Sequence, residues 1–188
     1  MKNKKILIGV SGGIAVYKIC SLINKLRKDG HEIKVIMTEA ATNFVGPLTF
    51  QTLSGNKVYT EMFAWQDGYN AEHVSLADWC DIMVVAPATA NTIGKISMGF
   101  ADNLLTSTIL ALPQETPALI VPAMNVHMWE NQIFQGNIKK LADFKMLNKK
   151  NKYNIVEPRE GMLACGYKGK GVIAENEIIV EEINKILK

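Results

Sequence analysis

The amino-acid sequence predicts an α/β protein with a doubly wound, open parallel sheet, Rossmann- or flavodoxin-like, in three αβα layers. Short apolar runs rich in β-branched residues recur along the chain without polar alternation, which is typical of strands buried on both faces. Segments with helical hydrophobic spacing separate these runs. Strands that alternate with helices indicate parallel βαβ units, and therefore an open sheet covered by helices.

The first βαβ unit is the clearest part of the pattern. An apolar strand over residues 6–10 leads into a Ser-Gly-Gly turn, a helix runs over 14–28, and a second strand covers 32–37. The remaining predicted elements are one or two short helices within 38–53, a small strand at 58–59, a polar loop at 65–70, a short helix at 73–79, a buried strand at 81–86, helices near 89–97 and 103–112, a strand at 118–121, an amphipathic helix at 129–144, a weaker strand at 151–156, a loop at 157–171 and a closing helix at 176–187.

Length and composition predict one globular domain over residues 1–188. The chain has 188 residues, of which 48% are hydrophobic and 21% charged, so disorder, collagen and coiled coil are excluded for the whole chain. The net charge is +3, and lysines cluster within 1–5 and 139–152 without interleaved aromatic residues. This pattern indicates solvated surface rather than a nucleic-acid partner.

Cysteine usage and hydropathy indicate a cytoplasmic protein. The three cysteines, Cys20, Cys80 and Cys165, lie far apart, so the sequence predicts neither a disulfide framework nor a metal site. No secretory signal is visible, and no apolar run approaches the ~18 residues that span a bilayer. We therefore expect no membrane partner.

Small and hydroxyl residues follow the predicted strands. In an open parallel sheet, ligands bind beyond the carboxyl ends of the strands, near the point where the strand order reverses. The turn at Gly12 and Gly13 can admit a phosphate at a helix N-terminus, or it can serve tight packing alone. The G-x-G-x-x-G fingerprint is absent, and Thr38 follows the second strand where NAD-binding proteins place an acidic residue. These features favour a mononucleotide over NAD.

Two further segments offer polar side chains at the same edge. Thr89, Asn91 and Thr92 could donate to an isoalloxazine ring, a ribityl chain or a phosphate, although Thr89 is also a good helix cap. Asn125, in the segment P-A-M-N, could bind a carboxylate or an amide, and it too could be a helix N-cap. The residues by themselves leave these alternatives open.

Six motifs in order carry a resemblance to a known family. They are G-G-I-A at 12–15 with Y-K at 17–18, H-V-S-L at 73–76, A-P-A-T-A-N-T-I-G-K at 86–95, A-D-N-L-L at 101–105, P-A-M-N at 122–125 and G-M-L-A-C-G at 161–166. Together they cover nearly the whole chain. The sequence resembles the flavin-dependent cysteine decarboxylases, and most closely those that act on phosphopantothenoylcysteine in coenzyme A biosynthesis.

The resemblance implies a cofactor, a substrate and an assembly. It implies one flavoprotein domain that binds FMN and forms homotrimers or dodecamers. His73, Asn125 and Cys165 match the family's catalytic positions, and Ala123, Met124 and Asn125 its substrate-binding segment. The residues that it implies around the flavin are Gly12, Gly13, Ile14, Thr38, Thr89, Asn91, Thr92 and Ser107.

The resemblance also implies a reaction without net oxidation. FMN-dependent decarboxylation of 4'-phosphopantothenoyl-L-cysteine to 4'-phosphopantetheine would pass through a thioaldehyde, which supplies an electron sink, and an enethiol. Asn125 would orient the carboxylate, His73 would assist thiol oxidation, and Cys165 would deliver a proton. The alternatives are a peptidyl-cysteine decarboxylase of the lantibiotic type, a non-catalytic flavoprotein regulator and a plain nucleotide-binding module.

One position departs from the family pattern. Where relatives usually continue with an arginine after Gly-x-Gly, this chain has Val172. An arginine there would serve phosphate or subunit contacts, so Lys168 or Lys170 is expected to replace it.

Overall fold

The computed structural model describes residues 3–63 and 71–188, and helices alternate with strands along them. The predicted loop at 65–70 lies outside the described residues. The strands are β1 Lys5–Val10, β2 Glu32–Met37, β3 Val58–Tyr59, β4 Ile82–Ala88, β5 Ala118–Pro122, β6 Tyr153–Ile155, β7 Arg159–Met162 and β8 Lys168–Val172. The helices are α1 Val16–Lys28, α2 Glu39–Thr42, α3 Pro47–Ser54, α4 Glu72–Trp79, α5 Ala90–Met98, α6 Leu104–Leu110, α7 Val126–Glu130, α8 Gln132–Ala142 and α9 Asn176–Ile186.

Six strands of the described chain form one parallel sheet in the order β3-β2-β1-β4-β5-β6. Ile8, in the middle of β1, lies opposite Val35 on β2 and Val84 on β4. The chain adds strands on one side of β1 and then returns to add β4 on the other. The order therefore reverses between β1 and β4, where an open sheet forms its ligand crevice. The predicted doubly wound fold is confirmed.

The two faces of the sheet bury separate apolar clusters. On one face, side chains of α1, α3 and α9 pack against the sheet, with Ile19, Phe50 and Ile179 fully buried. On the other face, α4, α5, α6 and α8 contribute a second cluster that includes Leu105 and Phe134. Apolar side chains on both faces explain why the strands lack polar alternation.

Two predictions about the second half of the chain are wrong in detail. The segment 157–171 is not a loop, because β7 and β8 form an antiparallel hairpin outside the main sheet. The single helix expected at 129–144 is two helices, α7 and α8. They divide at Asn131, whose side chain accepts hydrogen bonds from the backbone N–H groups of Ile133 and Phe134 and so starts a new helix.

A buried lysine supports the edge of the sheet beside β6. Lys152 is 4% exposed, and its ammonium group donates to the carbonyl oxygens of Leu112, Pro113 and Thr116, the last at 2.7 Å. These carbonyls belong to the connection between α6 and β5. The Pro113 oxygen also accepts from the backbone N–H of Thr116, so the lysine matters most for the carbonyl oxygens of Leu112 and Thr116.

No helix within residues 3–63 and 71–188 is long and apolar enough to cross a bilayer.

Candidate functional site

A cavity of about 930 Å³ lies where the strand order reverses. The turns that follow β1, β2, β4 and β5 form its walls, and the hairpin of β7 and β8 closes one side. Pockets of about 300–1,000 Å³ hold small ligands, so the cavity has room for a mononucleotide cofactor with part of a substrate.

Ser11 joins the two turns that separate at this point. Its hydroxyl donates to the carbonyl oxygen of Pro87 at 2.7 Å and accepts from the backbone N–H of Thr89 at 2.9 Å. The residue is 1% exposed, so both bonds are made out of contact with water. This serine fixes the distance between the turn after β1 and the turn after β4, and thereby the width of the crevice.

Gly12 and Gly13, which follow β1, differ in the space around them. A Cβ on Gly12 would lie 2.6 Å from the carbonyl carbon of Ala40, so this position requires glycine for close backbone packing. A Cβ on Gly13 would meet nothing nearer than the Thr89 methyl group at 3.6 Å, and Gly13 lines open cavity space. The packing interpretation therefore holds for Gly12, and Gly13 leaves room for a ligand.

Helix α1 begins beside this turn without a side-chain cap. The first N–H groups of a helix lack partners within the helix and carry a partial positive charge, which suits a phosphate. Ile14 lines the cavity at the same turn. The N–H groups of Val16 and Lys18 already donate to the carbonyl oxygens of Gly13 and Ala15. The remaining donors of this uncapped turn and the space beside Gly13 fit the phosphate of a mononucleotide such as FMN.

Hydroxyl side chains along the cavity hold other helix starts. Thr38 accepts from the backbone N–H of Ala41 at the start of α2, and Thr89 accepts from that of Thr92 at the start of α5. The capping interpretation of Thr89 is confirmed. Thr38, Thr89, Thr92 and the exposed Asn91 also line the cavity. The Thr89 hydroxyl is engaged by Ser11 and Thr92, so the exposed Asn91 amide is the freest of these polar groups for a ring or a ribityl chain.

Asn125 both caps a helix and faces the hairpin. Its side-chain oxygen accepts from the backbone N–H of His127 at 2.8 Å, which confirms the cap, and its amide nitrogen donates to the Cys165 sulfur at 3.0 Å. The cap fixes the orientation of the amide, because its oxygen is already engaged by backbone. The N–H₂ end is therefore the end presented to the cavity.

The hairpin packs closely on the segment after β5. The backbone N–H of Met124 donates to the carbonyl oxygen of Gly171 at 3.0 Å. A Cβ on Gly171 would lie 2.3 Å from the Met124 oxygen, and a Cβ on Gly169 would lie 2.7 Å from a methyl group of Val126. Glycine at both positions lets β8 approach α7, and this approach brings Cys165 to Asn125.

Three cationic side chains line the cavity, and each has a different setting. Lys95 forms an ion pair with Asp102, and the hydrogen bond from this lysine holds the pKa of Asp102 below its ordinary value. Lys18 lies in the first turn of α1. Arg159 lies on β7, where its Nε is 2.8 Å from a carboxylate oxygen of Glu175.

Most of the predicted site residues lie around this cavity. Those that line it are Gly12, Gly13, Ile14, Thr38, Thr89, Asn91, Thr92, Ala123, Met124, Asn125 and Cys165. Two do not. His73 lies half-buried in the first turn of α4, and the buried Ser107 donates to the carbonyl oxygen of Ala101. The roles assigned to His73 and Ser107 stay predictions.

The sequence analysis missed residues that the fold brings to the site. Ser11 and Arg159 are among them. Asp102 is another: its carboxylate accepts from the Thr106 hydroxyl at the start of α6, where Asn103 is the N-cap. Ser11 carries a weak signal, a serine directly after a buried strand. The sequence predicts that Lys168 or Lys170 takes the place of the arginine that is missing at Val172. In the structure Lys170 pairs with Glu157, and the cation that lies opposite Val172, on the neighbouring strand, is Arg159.

Comparisons with known proteins bear on the whole chain. A family model described as Flavoprotein matches residues 1–188. The coenzyme A biosynthesis bifunctional protein CoaBC of Bacillus subtilis is 49% identical over 185 residues, 98% of this chain and 43% of that protein. This chain therefore spans less than half the length of that bifunctional relative. A probable phosphopantothenoylcysteine decarboxylase of Streptococcus mutans is 44% identical over 185 residues, 98% of this chain and 99% of that protein.

Solved structures resemble the fold over nearly its full length. A cysteine-to-serine mutant of a PPC decarboxylase, complexed with pantothenoylaminoethenethiol, superposes with a TM-score of 0.84 at 28% identity and covers 98% of both chains. The FMN-dependent cysteine decarboxylase SpaF gives a TM-score of 0.82 at 29% identity and covers 98% of both chains.

Proposed function

The chain belongs to the Flavoprotein family, and from this premise we propose that it decarboxylates 4'-phosphopantothenoyl-L-cysteine to 4'-phosphopantetheine in coenzyme A biosynthesis, with FMN as cofactor. One observation carries the proposal: the Asn125 amide lies 3.0 Å from the Cys165 sulfur at the wall of a cavity with an open helix start. A carboxylate-binding amide and a thiol proton donor thus meet where a cofactor and a substrate fit together.

The residues around the cavity fit FMN. The uncapped start of α1 and the space at Gly13 suit its phosphate, and the hydroxyl groups of Thr38, Thr89 and Thr92 suit its polar groups. When bound, FMN supplies a two-electron acceptor that allows the cysteinyl side chain to become a thioaldehyde and later to regain both electrons. The protein has to hold the substrate, exclude water and move protons.

Asn125 orients the substrate carboxylate. Its amide oxygen is held by the backbone of α7, so its N–H₂ group is preorganised as a donor toward the cavity. A carboxylate that accepts this hydrogen bond replaces the Cys165 sulfur as its partner. The breaking carbon–carbon bond is then held in one orientation, which is how a fixed donor lowers the entropic part of a barrier.

Cys165 delivers the proton that completes the product. Loss of carbon dioxide from the thioaldehyde leaves an enethiol, which needs a proton at the carbon that carried the carboxylate. The thiol next to Asn125 lies within reach of that carbon. The hairpin packs on the segment after β5, where the Met124 N–H donates to the Gly171 carbonyl oxygen, and so holds the exposed Cys165 beside Asn125 at the cavity. Bound substrate would have to cover this thiol to keep water from the step, since closure of an active site prevents side reactions of intermediates.

His73 completes the site from a neighbouring copy of the chain. It lies outside the cavity of its own chain, half-buried in the first turn of α4. Met98, at the end of α5, and Phe100 are exposed apolar side chains that a partner could cover. A homotrimer, or a dodecamer built from such trimers, accommodates this arrangement.

A small substrate is favoured over a peptide. Cys165 is retained on the hairpin, and the relative that this chain spans at 99% of its length is named for the small-molecule reaction. A cytoplasmic enzyme of coenzyme A biosynthesis is consistent with this substrate.

The test is a direct assay of the purified protein. Incubation with 4'-phosphopantothenoyl-L-cysteine should release carbon dioxide and yield 4'-phosphopantetheine by mass spectrometry, and the protein should be yellow. The Cys165→Ser variant should stop at the enethiol, with an oxidised product two hydrogen atoms short of phosphopantetheine. Turnover of a cysteine-terminated peptide alone would contradict the proposed substrate, and a colourless protein after reconstitution would contradict the cofactor.

A further inference from the structure

The guanidinium group of Arg159 has an unusual setting on the hairpin. Arg159 lies across from Val172 in the antiparallel pair. A Cβ on Gly161 would lie 3.2 Å from the Arg159 Nη1 and 3.2 Å from a Val172 methyl group. The guanidinium therefore lies over Gly161, on the face that carries Val172, and the missing side chain at 161 provides the room.

The carboxylate of Glu175 contacts only one nitrogen of the Arg159 guanidinium group. The Nε of Arg159 lies 2.8 Å from a carboxylate oxygen of Glu175, whereas Nη1 is the nitrogen that lies near Gly161. Among residues 3–63 and 71–188, neither terminal nitrogen of Arg159 has a hydrogen bond or ion pair. A guanidinium held through Nε keeps the two terminal N–H₂ groups for a planar or bidentate anion, which is the geometry in which arginine binds phosphate.

The other two cations of the cavity are less suited to a substrate anion on this side. The single charged nitrogen of Lys95 is paired with Asp102, whereas Glu175 engages only one of the three guanidinium nitrogens of Arg159. Lys18 lies in the first turn of α1, beside the Gly13 turn to which the proposed function assigns the cofactor phosphate. Arg159 alone of the three lies on the hairpin that carries Cys165.

We propose that Arg159 binds the phosphate group of the substrate and so selects phosphorylated over unphosphorylated substrates; this rests on the proposed function. Arg159 and Cys165 line the same cavity, and Met162, Leu163 and Ala164 line its wall between them. The substrate has roughly eleven bonds between phosphorus and the cysteinyl α-carbon, so it spans up to about 13 Å when extended. A substrate with its cysteinyl end at Cys165 can therefore extend along this wall toward Arg159.

The experiment compares two substrates that differ in the phosphate alone. Steady-state kinetics are measured for wild type, Arg159→Met and Arg159→Lys with phosphopantothenoylcysteine and with pantothenoylcysteine. For Arg159→Met we expect KM to rise about 10- to 100-fold for the phosphorylated substrate, with kcat within about twofold, because a charge-assisted contact is lost. Kinetics with pantothenoylcysteine should not change, and Arg159→Lys should recover part of the loss.

Binding of products gives a readout that is independent of turnover. By calorimetry, wild type should bind phosphopantetheine more tightly than pantetheine, and Arg159→Met should bind both alike. Lys139→Met, an exposed cation of α8 that does not line the cavity, is the control and should behave as wild type. Lys168→Met tests the alternative from the sequence, in which that lysine takes the place of the missing arginine.

The outcomes separate this inference from the proposed function. If wild type decarboxylates phosphopantothenoylcysteine and Arg159→Met impairs both substrates equally, or neither, Arg159 is not the phosphate ligand although the proposed function stands. A phosphate-specific loss in Lys168→Met instead would also overturn the assignment. If wild type decarboxylates neither substrate, the proposed function fails and this inference fails with it.

Discussion

Gly169→Ala tests whether close packing of the hairpin on α7 is required for activity. The added Cβ would lie 2.7 Å from one methyl group of Val126 and 3.1 Å from its Cβ. Carbon atoms in contact prefer about 3.5–4.0 Å, so the hairpin must move outward by about 1 Å. Overpacking of this kind costs about 1–3 kcal/mol, which lowers the population of the packed hairpin by roughly 5- to 150-fold.

The loss should appear in catalysis and leave the cofactor in place. Because Cys165 and the Asn125 contact depend on the packed hairpin, we expect kcat/KM for phosphopantothenoylcysteine to fall about 10- to 100-fold. Bound FMN, measured by absorbance, should not change, since the Gly13 turn lies on another wall of the cavity.

A second substitution, Val126→Ala, tests whether contact with the Val126 side chain causes the loss. Val126→Ala removes the methyl group that the new Cβ would meet, so the double variant Gly169→Ala/Val126→Ala should recover to within about threefold of Val126→Ala alone. Full activity in Gly169→Ala, or penalties that simply add in the double variant, would refute the proposed packing requirement.

Two further substitutions test features that lie beneath the site. Ser11→Ala removes the hydroxyl's bonds to Pro87 and Thr89 and leaves the backbone bond from the Ser11 N–H to the Pro87 carbonyl oxygen, so affinity for FMN should fall about tenfold by fluorescence titration. Thr52→Ala, which removes an exposed hydroxyl bonded within α3, should leave this affinity unchanged. Lys152→Met strands buried carbonyl groups and should lower the free energy of unfolding by about 2–4 kcal/mol in urea titrations, with Lys150→Met as the exposed control; an equal loss in both lysine variants would contradict the buried role.

The sheet was predictable from sequence because its strands are buried on both faces. Ile6–Val10 and the runs at 82–86 and 118–121 have no polar alternation, and each coincides with a strand of the observed sheet. The hairpin was not predictable in this way. Glycine and charged residues have low strand propensity, and β7 and β8 contain both, so local pattern gave a loop. Contact with α7 stabilises the hairpin instead, and that contact is invisible in the local sequence.

The residues of the candidate site also differ in whether the sequence could identify them. Thr89 and Asn125 were identifiable because the turn after a buried strand marks the binding edge of the sheet. Nothing in sequence spacing predicts that Asn125 and Cys165, 40 residues apart, make a 3.0 Å contact, and only the family resemblance suggested a shared role. Ser11 escaped selection because its importance comes from its partner Pro87 on another strand, 76 residues away.

The separation between the hairpin and the six-stranded sheet has a consequence for how such an enzyme can diversify. In the described chain, β7 and β8 pair with each other and with no strand of the sheet. A different hairpin in this region could therefore replace the thiol and the arginine together, while the six-stranded sheet and the turns proposed to hold FMN remain unchanged. Substrate specificity could then change through this hairpin alone, without the loss of stability expected when a central strand is altered.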